Sequence, residues 1–221
     1  MTQLEQACSG VVTPEVEAVA RNEFLDPRQL REEVAAGRLV ITANTEHLKR
    51  GLQPIGIGTA CCTKINANIG KSSLSGGAEC ELAKLSVAIE CGADTVMDLS
   101  TGEGICGVRQ RIIDASRVPV GTVPIYQVAQ QLDEITDMRP AHFLDVIQQQ
   151  AEQGVDYMTV HCALLKEHLP LTRRRVTGIV SRGGSLVAKW MAAHNQENPF
   201  YTHFDQLCDI LRTYDVTWSL G

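Results

Sequence analysis

The residues best equipped for chemistry stand at the C-terminal ends of short apolar runs. Ser181, Arg182, Gly183 and Gly184 join a hydroxyl, a guanidinium and two flexible backbone amides. Such amides form an anion nest, and a following helix adds the positive end of its dipole. Phosphate or carboxylate is therefore the expected ligand. The competing reading is a tight strand-to-helix turn whose Arg182 pairs with a nearby carboxylate. His161 ends the run DYMTVHC (156–162). An imidazole there can be a proton donor, a metal ligand, a phosphate partner or a satisfied core group. Asn66 and Asn68 stand two apart in KINANIG (64–70). On a strand both amides point to one face, toward a polar ligand or toward loop backbone. TVMDLSTG (95–102) carries Asp98, Ser100, Thr101 and Gly102. Its carboxylate can hold a cation, a base edge or an arginine, or cap the strand-end turn. Met97 reads as core on composition. His168, His194 and His203 read as structural, and the basic run RRR (173–175) as a solvated face.

These residues need elements to position them. Six apolar runs recur: KINANIG, TVMDLSTG, VPVGTVPIY (118–126), DYMTVHC, GIVSRGG (178–184) and VTWSLG (216–221). Between most of them the apolar spacing is helical, as for Leu82, Leu85 and Ile89, or Phe143, Val146 and Ile147. The pattern predicts an α/β fold, a (β/α) barrel of the TIM type, with active-site groups at the strand C-termini. A complete barrel takes eight strands, so six runs predict an incomplete one, its strands parallel and in chain order. Gly121, Pro124 and Gly183 interrupt two of the runs, which suits a ligand site better than plain core. A polar turn, KSSLSGGAE (71–79), follows the first run. Residues 1–60 read differently, as a cap or small subdomain ahead of the barrel at 61–221. Two helices are predicted at 15–23 and 27–37, with Thr13 capping the first, Pro14 opening it and Gly37 stopping the second. RLVITAN (38–44) is a strand candidate, and PIGIG (54–58) an approach to the first barrel strand.

The 221 residues are 44% hydrophobic and 21% charged, with a net charge of −6. That charge argues against non-specific nucleic-acid binding, and no stretch is long and apolar enough to span a membrane. The N-terminus shows no basic segment followed by an apolar one, so a cytoplasmic location is expected. Eight cysteines are present and no CxxC occurs. Reduced thiols are expected rather than a disulfide framework or a metal site built from these cysteines alone.

Taken together, the strings resemble the phosphomethylpyrimidine synthase family of thiamine biosynthesis. The resemblance rests on KINANIG, GADTVMDLSTG, PVGTVPIYQ, AEQGVDYMTVH, TGIVSRGGS, AKW, YTHFD and YDVTWSLG, in that order. It implies a radical lyase on a (β/α) barrel that binds aminoimidazole ribotide and S-adenosylmethionine. A [4Fe–4S] cluster cleaves the latter, and the adenosyl radical rearranges the ribotide into hydroxymethylpyrimidine phosphate. The family's substrate contacts fall on Asn68, Met97, Tyr126, His161, Ser181, Arg182 and Gly183. A homodimer and a divalent zinc ion are implied for the complete enzyme. The family's cluster cysteines and metal-binding histidines follow the SLG string, so no metal ligand is expected within these residues. The isolated polypeptide is accordingly expected to be inert, to bind no iron and to pair or aggregate through open strand edges. Two features depart from the family's pattern. HCA (161–163) replaces the family's HAG, and GIGTACCTKINANIG is atypical. The HC variant and the short N-terminal region favour the sister group, 5-hydroxybenzimidazole synthase, which makes a cobamide base, whereas TRRRVTGIVSRGGSLVAKW and YTHFD favour the thiamine enzyme. A ribotide-binding remnant without chemistry is the third reading.

Overall fold

The computed structural model describes residues 1–72 and 77–221, so the middle of the polar turn at 71–79 lies outside the described residues. The N-terminal segment forms α1 (Gln3–Cys8), α2 (Pro14–Glu23) and α3 (Pro27–Ala35). Thr13 caps α2 by accepting from the Val16 amide, and Pro14 takes the first helical position, where its missing N–H costs nothing. Gly37 follows α3 at φ +69, a left-handed conformation that suits glycine. β1 (Leu39–Thr42) and β2 (Ile55–Gly58) form an antiparallel pair, with α4 (Thr45–Leu48) between them. PIGIG is thus a paired strand and not an approach to the next sheet. Val16, Val19, Leu30, Val34, Leu39 and Ile41 close a small core of their own.

The second sheet is parallel throughout and follows chain order: β3 (Asn66–Ile69), β4 (Thr95–Asp98), β5 (Val120–Thr122), β6 (Tyr157–Val160) and β7 (Thr217–Leu220). Its connections carry α5 (Ala78–Glu90), α6 (Ile105–Ala115), α7 (Pro124–Gln130) and α8 (Pro140–Gln153). Four more helices follow: α9 (Leu169–Thr172), α10 (Arg182–His194), α11 (Pro199–Thr202) and α12 (Phe204–Tyr214). Ile69, Val96, Val120, Met158 and Val160 share one face by strand alternation. They pack in one apolar cluster with Leu85, Val108, Ile112, Ile147, Val187, Trp190 and Leu207 from the helices. The other face carries Asn66, Asn68, Thr95, Met97, Tyr157, Thr159 and Ser219, and of these only Thr95 is fully buried. One face is therefore covered by helices and the other is polar and open.

The sequence expectation needs two corrections. VPVGTVPIY is a strand only over Val120–Thr122, and Pro124 starts α7, so Tyr126 lies on a helix. Proline has no N–H for a ladder, and its fixed φ fits the first turn of a helix. GIVSRGG forms no strand, so among the described residues the parallel sheet has five strands instead of six. β6 pairs directly with β7 over four registered positions, Tyr157–Thr217 to Val160–Leu220, which occupies the ladder that this run would need. Val180 remains 71% exposed, and Ser181 serves as the N-cap of α10.

A buried polar joint ties the two sheets together at the N-terminal end of β6. Asp156 Oδ2 accepts from the Val120 amide at 2.7 Å and lies 2.6 Å from His47 Nδ1, while its Oδ1 accepts from the Asn44 amide at 3.1 Å. His47 Nε2 faces the Ser116 carbonyl at 3.2 Å.

Candidate active site

Five of the seven residues expected at the site are tied together at the C-terminal end of β6. His161 follows that strand and is 8% exposed. Its Nε2 lies 2.8 Å from Ser181 Oγ, which in turn accepts from the Gly184 amide at 3.1 Å and so caps α10. A methyl group on Gly183 would stand 2.1 Å from His161 Cε1, so only glycine lets the imidazole lie against the first turn of α10. The Arg182 guanidinium carbon stands 4.9 Å from the centre of the Tyr126 ring, a cation–π contact across α7 and α10. SRGG therefore stands at a capped helix N-terminus and not at a strand end. First-turn amides have no intrahelical acceptor, and Arg182 beside them is exposed. The His161 Nδ1 is buried and has no partner among the described residues. Burial pushes the imidazole below its ordinary value, so it is neutral near pH 7. Asn198 steadies the turn after β6, its Nδ2 donating to the His161 and Leu164 carbonyls at 2.7 and 2.9 Å.

Asn68 and Met97 are registered neighbours on β3 and β4, on the polar sheet face. Among the described residues no hydrogen bond joins the Asn68 side chain to the His161 group. Asn68 Oδ1 accepts from Asn66 Nδ2 at 2.8 Å, as two amides on one strand face should. Met97 is half-buried and borders the apolar cluster from the polar side. Asp98 points to the opposite face. Its Oδ1 accepts from the Ser100 amide and hydroxyl at 3.0 and 2.5 Å, and its Oδ2 is 3.9 Å from Arg109 Nε. It is thus the turn cap with an arginine neighbour, and burial raises its carboxyl above the ordinary value.

Sequence reasoning passed over Tyr157, Asn198 and His47. Tyr157 shares strand parity with His161, which was available as a signal. Asn198 precedes Pro199, the pattern of a helix cap. His47 gave no signal, because its partner is 109 residues away.

The profile of the Radical SAM ThiC family matches residues 2–221. This chain belongs to that family. Relatives bearing the name phosphomethylpyrimidine synthase, from two strains of Halobacterium salinarum and from Natronomonas pharaonis, are each 53% identical over 220 residues. The alignments cover all of this chain and 46% of each relative, so the chain spans just under half the length of the curated relatives it matches. Their shared name favours the thiamine branch of the family over the benzimidazole branch.

Radical chemistry of the kind named in the ThiC family title needs an iron–sulfur cluster held by thiolates. Among the described residues no three His, Cys, Asp or Glu side chains are grouped to share a metal ion, and the eight cysteines are free. The described side chains do not fit a cluster or a zinc site. No described helix is long and apolar enough to cross a membrane.

Proposed function

We propose that this chain is the ribotide-binding, N-terminal portion of a phosphomethylpyrimidine synthase. The complete enzyme would convert aminoimidazole ribotide into hydroxymethylpyrimidine phosphate in the cytoplasm. The observation that carries the reading is the convergence of His161, Ser181, Arg182, Gly183 and Tyr126 in a chain 53% identical throughout to enzymes of that name. In this reading the ribotide phosphate sits against the first-turn amides of α10 and Arg182, whose guanidinium is held flat by Tyr126. A neutral His161 offers its Nδ1 to the ligand, and Asn68 and Met97 form the floor on the polar sheet face. The cluster, S-adenosylmethionine and a zinc ion belong to the complete enzyme, a homodimer. The one-sided helix layer and the parallel chain order fit a TIM-type barrel of which these are the first strands, with residues 1–60 as its cap and 61–221 as its part of the barrel.

The test is anaerobic turnover by the complete protein, supplied with aminoimidazole ribotide, S-adenosylmethionine and a reductant. Mass spectrometry should find hydroxymethylpyrimidine phosphate and 5′-deoxyadenosine. Formation of 5-hydroxybenzimidazole, or ribotide binding with no product, would overturn the assignment.

A further inference from the structure

The polar sheet face contains a hydrogen-bond chain that ends on Asn68. Tyr157 of β6 reaches across β5 because Gly121 has no side chain, and a methyl group there would stand 2.2 Å from the tyrosine ring. The Tyr157 hydroxyl donates to Asn66 Oδ1 at 2.8 Å and stands 3.3 Å from Thr95 Oγ1. The Thr95 hydroxyl donates to the same Asn66 oxygen at 3.0 Å. Asn66 Nδ2 donates to Asn68 Oδ1 at 2.8 Å. Three strands thus contribute to one chain that leads from a half-buried phenol to an exposed amide.

We infer that Tyr157 and Thr95 are positioning residues that fix which end of the Asn68 amide faces the ligand. An amide in isolation can present either its oxygen or its nitrogen. Two hydroxyl protons converge on Asn66 Oδ1, which fixes that amide. Its nitrogen then points at Asn68 Oδ1 and occupies it. With both amides reversed, the two hydroxyl protons would have only each other's oxygens, and one would lack an acceptor. Among the described residues the arrangement leaves the Asn68 N–H donors without a partner, so the ligand atom at this place must be an acceptor, such as a ring nitrogen or a ribose oxygen. A group with only N–H or O–H to offer is turned away. The donor is constant, because burial pushes the Tyr157 phenol up to about 12 and the proton stays on.

The inference rests on Asn68 being a ligand contact, so the experiment separates the two. Ribotide affinity is measured by calorimetry on the complete protein and its variants. Asn68→Ala should weaken binding if the site is read correctly. Tyr157→Phe keeps the ring on Gly121 and removes only the hydroxyl, and should weaken binding about five- to tenfold without lowering the melting temperature. Thr95→Val should act in the same sense, with Thr95→Ser restoring affinity. The deciding measurement is a double-mutant cycle, in which Tyr157→Phe should cost nothing further once Asn68 is alanine. A merely structural Tyr157 would give the same loss in both backgrounds. Additive losses, or unchanged affinity in both Tyr157→Phe and Thr95→Val, would overturn the relay and leave the site standing. Unchanged affinity in Asn68→Ala would overturn the site assignment and the relay together.

Discussion

Two buried histidines flank the same short strand, and they are built for opposite purposes. At the N-terminal end of β6, His47 has a partner on each ring nitrogen, Asp156 and the Ser116 carbonyl, and is fully enclosed. At the C-terminal end, His161 spends one nitrogen on Ser181 and leaves the other buried without a partner among the described residues. Burial alone would lower the His47 imidazole, but the Asp156 carboxylate outweighs it and holds His47 above its ordinary value. Burial raises the Asp156 carboxyl above its ordinary value, against the lowering pull of His47 and of the Val120 and Asn44 amides. At His161 nothing opposes burial, and the imidazole is lowered. Full satisfaction marks the end that joins the two sheets, and the incomplete set marks the end where parallel sheets carry their ligands.

The largest expected effect would come from breaking the closed end. Asp156→Ala should cost about 3–5 kcal/mol, because it leaves a buried imidazole and two amides without their acceptor. Urea unfolding of the complete protein measures this, while ribotide affinity of the folded fraction should persist. The open end should behave in reverse. Arg182→Ala should lose about 1.5–3 kcal/mol of ribotide binding, with stability moved by less than about 0.5 kcal/mol. If each variant damaged both stability and affinity alike, the contrast between the ends would fail.

A third carboxyl sharpens the comparison. Asp215 lies just ahead of β7 and accepts from the Gln3 amide at 2.8 Å, and burial pushes it up to about 6. Its folded value exceeds the unfolded one, near 3.9. Its contribution to stability is therefore full below about pH 4 and lost as pH rises through about 6. Asp215→Asn keeps the acceptor and the left-handed backbone at φ +56. It should stabilise the protein by about 1–2 kcal/mol at pH 7.5 and by little at pH 4, as read by thermal melts. The smallest effect is a pair of opposite slopes. His47, raised on folding, contributes stability below about pH 6.5 that fades as pH climbs through its folded value. His161, lowered on folding, loses stability as pH falls below about 6.5. Replacing each by Gln should flatten the matching limb of the stability profile and leave the other limb alone.

Much of this was legible because it is local. The Thr13–Pro14 start of α2, the Leu85 stripe and the parallel order of five of the six runs follow from capping and periodicity. Tyr126 was misplaced because an apolar run continued through Pro124, and only the proline said otherwise. GIVSRGG looked like a strand by composition, but β6 already had β7 as its partner, which no local pattern records. Ser181 and Arg182 were placed on an incorrect element, since a capped helix start and a strand-end turn need the same residues. The His47–Asp156 joint and the Tyr157 chain were invisible, because their partners meet only after distant segments fold.

Gly121 and Tyr157 share one volume, and that couples their histories. A side chain at 121 is incompatible with the aromatic ring at 157, and a smaller residue at 157 would open a gap above 121. Among relatives, these two positions should therefore exchange together, with glycine opposite tyrosine or a larger residue opposite a smaller one. The intermediate single changes should be rare. Two sites 36 residues apart thus amount to one heritable unit.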